Sequence, residues 1–120
     1  MYTDGGSRGN PGPAAGAYVL LDENSAVVEG RGCFLGKTTN NVAEYAGLLE
    51  GLRAARRLGA SSVTVFSDSE LLVRQINGQY KVKSDNLKAL FAECMKELAG
   101  FFGWQVSHIR REQNSQADRL

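Results

Sequence analysis

The chain has 120 residues, of which 42% are apolar and 22% charged, for a formal net charge of +1. These values describe one globular domain over residues 1–120 and argue against a disordered chain or two independent cores. No apolar run reaches the ~18 residues of a membrane-spanning helix, and the N-terminus lacks the basic-then-apolar pattern of a secretory leader. Cys33 and Cys94 stand far apart, with no Cys-x-x-Cys or Cys/His zinc spacing, so two free thiols are expected. A cytoplasmic monomer without a membrane partner is the starting expectation.

The opening stretch, "TDGGSRGNPG", puts Asp4 at the end of a short first strand and follows it with an Asn-Pro-Gly turn. Residues 14–22 read as a strand, "ENS" as a turn, and residues 26–35 as a strand broken by Gly30 and Gly32; together they make an antiparallel hairpin. Val42, Tyr45, Leu48, Leu49 and Leu52 recur at helical spacing, with Gly59 as the stop. Gly47 and Gly51 weaken that helix by about 1 kcal/mol each relative to Ala, which is understandable if a small-residue face must approach a sheet closely. Val63 to Phe66 reads as a strand covered on both faces. "SELLVRQING" reads as a short helix, and "DNLKALFAECMKELAG" as a longer one with Leu87, Leu90, Phe91, Cys94, Met95 and Leu98 on its apolar side. Residues 104–109 form a last strand, and "SQADRL" starts a final helix. A meander followed by β-α-β crossovers implies an α/β fold, a mixed sheet with helices on its faces.

Four carboxylates fall at element boundaries, where functional groups of α/β sheets gather. Asp4 ends the first strand, Glu44 lies in the first turn of the long helix, Asp68 ends the "VTVFS" strand, and Asp118 lies in the terminal helix. Each has an ordinary structural explanation. Asp4 before Gly-Gly can start a turn, Asn41-x-x-Glu44 has capping-box spacing, as does Ser67-x-x-Glu70 beside Asp68, and Asp118 can be a solvated surface acid. The alternative is convergence. Carboxylates brought within a few Å of each other take up protons unless cations neutralise them. With no Cys/His set available, hard Mg²⁺ or Mn²⁺ ions are the natural partners. Two such ions can hold a phosphodiester, activate water and stabilise the leaving oxygen without a protein nucleophile.

These residues resemble a known family. "YTDGGSRGNPGPAA" resembles the opening motif of the type 1 ribonuclease H family, and "TTNNVAEYAGLLEGL" its first-helix motif. "VFSDSELLVRQING" is similar to its second acidic strand and helix, and "REQNSQADRL" to its last catalytic helix. The similarity spans essentially the whole chain in order. It implies a five-stranded mixed sheet flanked by helices, the ribonuclease H-like fold. It also implies two-metal endonucleolytic hydrolysis of the RNA strand of RNA/DNA hybrids, leaving 5′-phosphate and 3′-hydroxyl ends. Asp4, Glu44, Asp68 and Asp118 match the four metal-site acids. By the same resemblance Ser7, Arg8, Gly9 and Asn10 face a minor groove whose 2′-hydroxyls identify RNA, Asn10, Asn40 and Glu44 contact the hybrid near the cut, and Thr39 helps hold a DNA-strand phosphate. Asn10 and Asn40 as plain turn and cap residues remain the alternative, and a catalytically silent hybrid-binding module remains the rival function.

The chain departs from the family in several places. The stretch from Gly78 to Asn86 is short and lacks the basic, Trp-containing protrusion of some bacterial members, so weaker and more salt-sensitive hybrid binding is expected. The segment "HIRREQN" is shortened where those members carry a loop histidine. His108 is read as a strand residue, and Arg110 or Arg111 as a phosphate contact in its place. This shortened segment resembles an archaeal-type subgroup, some of whose members also act on double-stranded RNA, so that substrate stays open. Glu70 stands where an RNA-contacting glutamine often occurs. Arg74, Lys81, Lys83, Lys88 and Lys96 form one basic region and Arg110, Arg111 and Arg119 another, each either a solvated face or a track for phosphates.

Overall fold

The computed structural model describes residues 1–114; Asp118, with the final helix expected around it, lies outside the described residues. The elements run β1 (Tyr2–Ser7), β2 (Gly12–Leu21), β3 (Val27–Thr38), α1 (Asn40–Arg57), β4 (Ser62–Ser67), α2 (Glu70–Ile76), α3 (Asp85–Ala99), β5 (Gly103–His108) and a 3-10 turn at Arg111–Asn114. The five strands form one sheet in the order β3-β2-β1-β4-β5. β1, β2 and β3 pair antiparallel, whereas β1–β4 and β4–β5 pair parallel. This is the mixed sheet expected from a meander followed by crossovers.

Several sequence expectations need correction. Asp4 does not end β1. It sits within the strand, opposite Ala17, and the strand continues to Ser7. Gly30 and Gly32 do not break β3, because both stay in register with β2, opposite Val19 and Ala17; the irregularities fall instead at Ala14/Ala15 and Leu20/Leu21. Backbone pairing, which needs no side chain, carries the strand through its glycines. β4 is not covered on both faces among the described residues. Val65 and Ser67 are buried while Ser62 and Thr64 are exposed, the alternation of a strand with one packed face.

The core lies between the sheet and the helices. Leu48 and Leu52 of α1, Leu72 of α2, Cys94 and Leu98 of α3, and Val65 and Val106 of the sheet meet there, nearly or fully shielded from water. The apolar spacing read from α1 and α3 therefore points inward as expected. The Cys94 thiol is buried and donates to the Tyr45 carbonyl at 3.8 Å, and both cysteines are free.

Close approach of α1 to the sheet sets the position of the acids. A Cβ on Gly47 would lie 2.7 Å from the Asp4 carbonyl oxygen and 2.9 Å from the Ala17 nitrogen. A Cβ on Gly5 would run into the backbone of Ala43 and Glu44. The helical cost of Gly47 is thus offset by backbone-to-backbone contact, which brings the Glu44 turn against the Asp4 strand. Gly5 does the same from the sheet side.

Candidate active site

Three of the four expected acids lie on elements that converge at one end of the sheet. Asp4 follows Thr3, which is paired with Ser67, and Asp68 follows Ser67 directly. Asp68 occupies the two-residue link between β4 and α2. Glu44 comes from α1, across the Gly5 contact. All three are partly buried.

The capping boxes that offered a purely structural reading are not what caps these helices. α1 begins at Asn40, and its cap is Thr39, whose hydroxyl accepts from the Val42 N–H at 3.3 Å. Glu44 therefore lies in the second turn, not the first, too far along to tie down the helix start. α2 is capped by Ser69, which accepts from Leu72 N–H at 3.2 Å, while the Ser67 hydroxyl accepts from Ser69 N–H at 3.1 Å.

Freed from capping, Glu44 is electrostatically strained. Desolvation by burial pushes its carboxyl above the usual range, and the nearby Asp68 pushes it the same way; a hydrogen bond from Ser69 works in the opposite direction. A half-buried acid beside a second acid is a site suited to a cation, and the donors are all hard oxygens, so Mg²⁺ or Mn²⁺ fits the chemistry better than zinc. Among the described residues, however, no three His, Cys, Asp or Glu side chains are grouped closely enough to hold an ion together. Asp118, the expected fourth acid, is not among them.

The polar residues of the opening motif form a hydrogen-bonded junction. The Asn40 Oδ1 accepts from the Ser7 N–H at 2.7 Å and from the Ser7 hydroxyl at 2.8 Å, and the Asn10 Oδ1 accepts from the Asn40 N–H at 3.2 Å. Ser7, Asn10 and Asn40 thus clamp the β1–β2 turn to the start of α1. They hold the turn and the helix start through the carboxamide oxygens of Asn10 and Asn40, while Thr39 is the cap. Arg8 and Gly9 are exposed on that turn.

Glu70, placed by sequence at an RNA-contacting position, is exposed and ion-paired with Arg74 at 2.8 Å. Arg74 in turn lies over the Tyr80 ring, 5.3 Å from its centroid, on the short connection between α2 and α3. Arg110 and Arg111 are exposed just after β5, and His108 is the exposed last residue of that strand, as its reading as a strand residue expected.

Two residues near the acids escaped the sequence reading. Ser69 both caps α2 and donates to Glu44. Asn114 is fully buried and donates from Nδ2 to the Thr3 carbonyl at 2.8 Å, across 111 positions of sequence. Ser69 could have been found as a hydroxyl between an acidic strand end and a helix; nothing local marks Asn114.

A mixed five-stranded sheet in the order β3-β2-β1-β4-β5, with helices packed against it, is the ribonuclease H class of fold. A family profile described as reverse transcriptase-like matches residues 2–120. The chain belongs to the ribonuclease H-like family. It is 37% identical over 119 residues to a protein of Halobacterium salinarum named ribonuclease HI, covering 99% of this chain and 60% of that one. It is 43% identical to a bifunctional protein of Mycobacterium tuberculosis, covering all of this chain and 33% of that protein. The chain therefore spans only part of these relatives. The crystal structure of the Halobacterium ribonuclease H1 superposes with a TM-score of 0.95 at 37% identity, covering 99% of this chain and 90% of that one. A structure of LC11 ribonuclease H1 in complex with an RNA/DNA hybrid superposes with a TM-score of 0.92 at 42% identity, with the same coverage of each chain.

Proposed function

We propose that this chain is a metal-dependent endonuclease that cuts the RNA strand of RNA/DNA hybrids, leaving 5′-phosphate and 3′-hydroxyl ends. The observation that carries the reading is the half-buried Glu44 beside Asp68, kept above its ordinary pKa, in a chain 42% identical to a ribonuclease H1 crystallised on such a hybrid. A pure binding module gains nothing from acids held at this disadvantage, because each repels the phosphates it would bind.

Asp4, Glu44, Asp68 and Asp118 would hold the ions. Bound there, a pair of Mg²⁺ ions would supply an acidified water and a counter-charge for the leaving oxygen. The chain's own residues do the rest. Ser69 orients the Glu44 carboxylate and favours its charged form. Asn10 and Asn40 offer carboxamide donors to the minor groove, the surface that presents 2′-hydroxyls. Thr39, at the start of α1, adds a hydroxyl beside N–H groups suited to a phosphate. Arg110 and Arg111 follow β5 as phosphate contacts. Glu70, held by Arg74, is a poorer RNA contact than a glutamine, since an ionised carboxylate can only accept.

A labelled hybrid incubated with Mg²⁺ tests the reading, alongside a labelled RNA duplex for the second substrate. Cleavage of the RNA strand, lost in chelator and lost on the order of 10³-fold in Asp68→Asn, is expected. Cleavage that persists in either arm overturns the two-metal mechanism.

A further inference from the structure

The Thr3 carbonyl stands where three acid-bearing segments meet. It belongs to β1, one residue before Asp4. The register Tyr2↔Phe66 and Thr3↔Ser67, with Phe66 N–H donating to Met1 O at 2.8 Å, sets Thr3 beside Ser67, the residue before Asp68. Asn114 Nδ2 donates to the Thr3 carbonyl at 2.8 Å. Asp118 follows Asn114 by four residues along the chain.

Asn114 is costly to bury for packing alone. It is fully shielded, and its Oδ1 has no hydrogen-bond partner among the described residues. Its Nδ2 is committed to the strand that carries Asp4, a hold that offsets part of the cost of burying the carboxamide.

We infer that Asn114 is a positioning residue: its carboxamide fixes the Thr3–Asp4 peptide, so that Asp4 is held in metal-binding geometry beside Glu44 and Asp68. The inference rests on the hybrid-cleaving reading of this site. Asn114 touches neither substrate nor the reacting atoms.

The test compares Asn114→Ala and the isosteric Asn114→Asp with Leu98→Ala, a core truncation at a fully buried α3 position that takes no part in the site. All are assayed at a temperature where circular dichroism shows them folded. For the Asn114 variants kcat is expected to fall about 10- to 100-fold with KM for the hybrid little changed, and half-saturating Mg²⁺ to rise about 10-fold. The rise in melting midpoint on adding Mn²⁺, read without substrate, shrinks in the same variants. Leu98→Ala loses melting midpoint but keeps kcat, the Mg²⁺ requirement and the Mn²⁺ shift. If the Asn114 variants behave like Leu98→Ala, the residue only packs and the inference is overturned. A trans-hydrogen-bond NMR coupling between Asn114 Nδ2 and the Thr3 carbonyl carbon needs no variant, and its absence in the folded wild type overturns the inference by itself. If the wild-type protein neither cleaves hybrid nor responds to metal, the proposed function fails first and takes this inference with it.

Discussion

Glu29 on β3 and Glu44 on α1 belong to elements that pack against each other, yet the protein treats them in opposite ways. Glu29 accepts from the Tyr18 hydroxyl at 2.6 Å, and its Oε1 and Oε2 both accept from Arg57 Nη2, at 2.9 and 2.8 Å. Those donors hold its carboxyl below the usual range, the Tyr18 bond first and Arg57 next. Among the described residues Glu44 has one donor, Ser69, set against burial and the charge of Asp68, and its carboxyl is pushed up. The first arrangement ties β2, β3 and the end of α1 together and wants nothing more. In the second, burial and the charge of Asp68 outweigh the Ser69 bond. An acid whose neighbours already satisfy it is built for structure, and one left wanting a counter-charge is built for chemistry.

Replacing Glu44 sharpens the contrast most. A carboxyl with a raised folded pKa opposes folding increasingly as pH climbs through that pKa, so the penalty is present at neutral pH and absent in acid. Glu44→Gln is therefore expected to raise the melting midpoint at pH 7 in chelator and to leave it unchanged near pH 3. The same substitution should lower hybrid cleavage on the order of 10³-fold, about 4 kcal/mol of barrier. A variant destabilised at neutral pH contradicts the electrostatic reading of this acid.

Ser69→Ala has a smaller, double effect. It removes the α2 cap, a cost of about 0.5–2 kcal/mol in thermal unfolding. It also removes the donor that favours charged Glu44, so the acidic limb of the pH–rate profile should move to higher pH. A lower midpoint with an unmoved pH profile would assign Ser69 to capping alone.

Glu29→Gln should do least. Its depressed pKa means that its contribution to stability is present at neutral pH and fades as pH falls through the folded pKa. A slightly lower melting midpoint at pH 7, a vanishing difference in acid, and unchanged cleavage are expected. Impaired cleavage would show that the two glutamates are not separate in function.

Much of this arrangement was legible in the sequence because it rests on local pattern. The helical spacing of Tyr45, Leu48 and Leu52 reports burial directly, the β-branched run at Val63 to Phe66 marks a strand but not its exposed face, and the order of elements then limits the topology. The cost of Gly47 hinted correctly at a close helix–sheet contact. Element boundaries were less legible. The capping-box spacings at Asn41 and Ser67 looked convincing, but Thr39 and Ser69 each lie nearer the N–H groups they satisfy. The glycines of β3 suggested an interruption that backbone pairing with β2 removes. Asn114 could not be read at all, since its partner, the Thr3 carbonyl, lies 111 residues away.

The account turns on whether the end of the sheet bearing Asp4, Glu44 and Asp68 takes up metal. A crystal soaked in Mn²⁺ and measured at the manganese absorption edge answers this most directly. Anomalous peaks bounded by the carboxylates of Asp4, Glu44 and Asp68 are expected, and the same soak of Asp68→Asn should weaken or remove them. Manganese bound elsewhere, with these three acids unoccupied at saturating metal, would contradict the account.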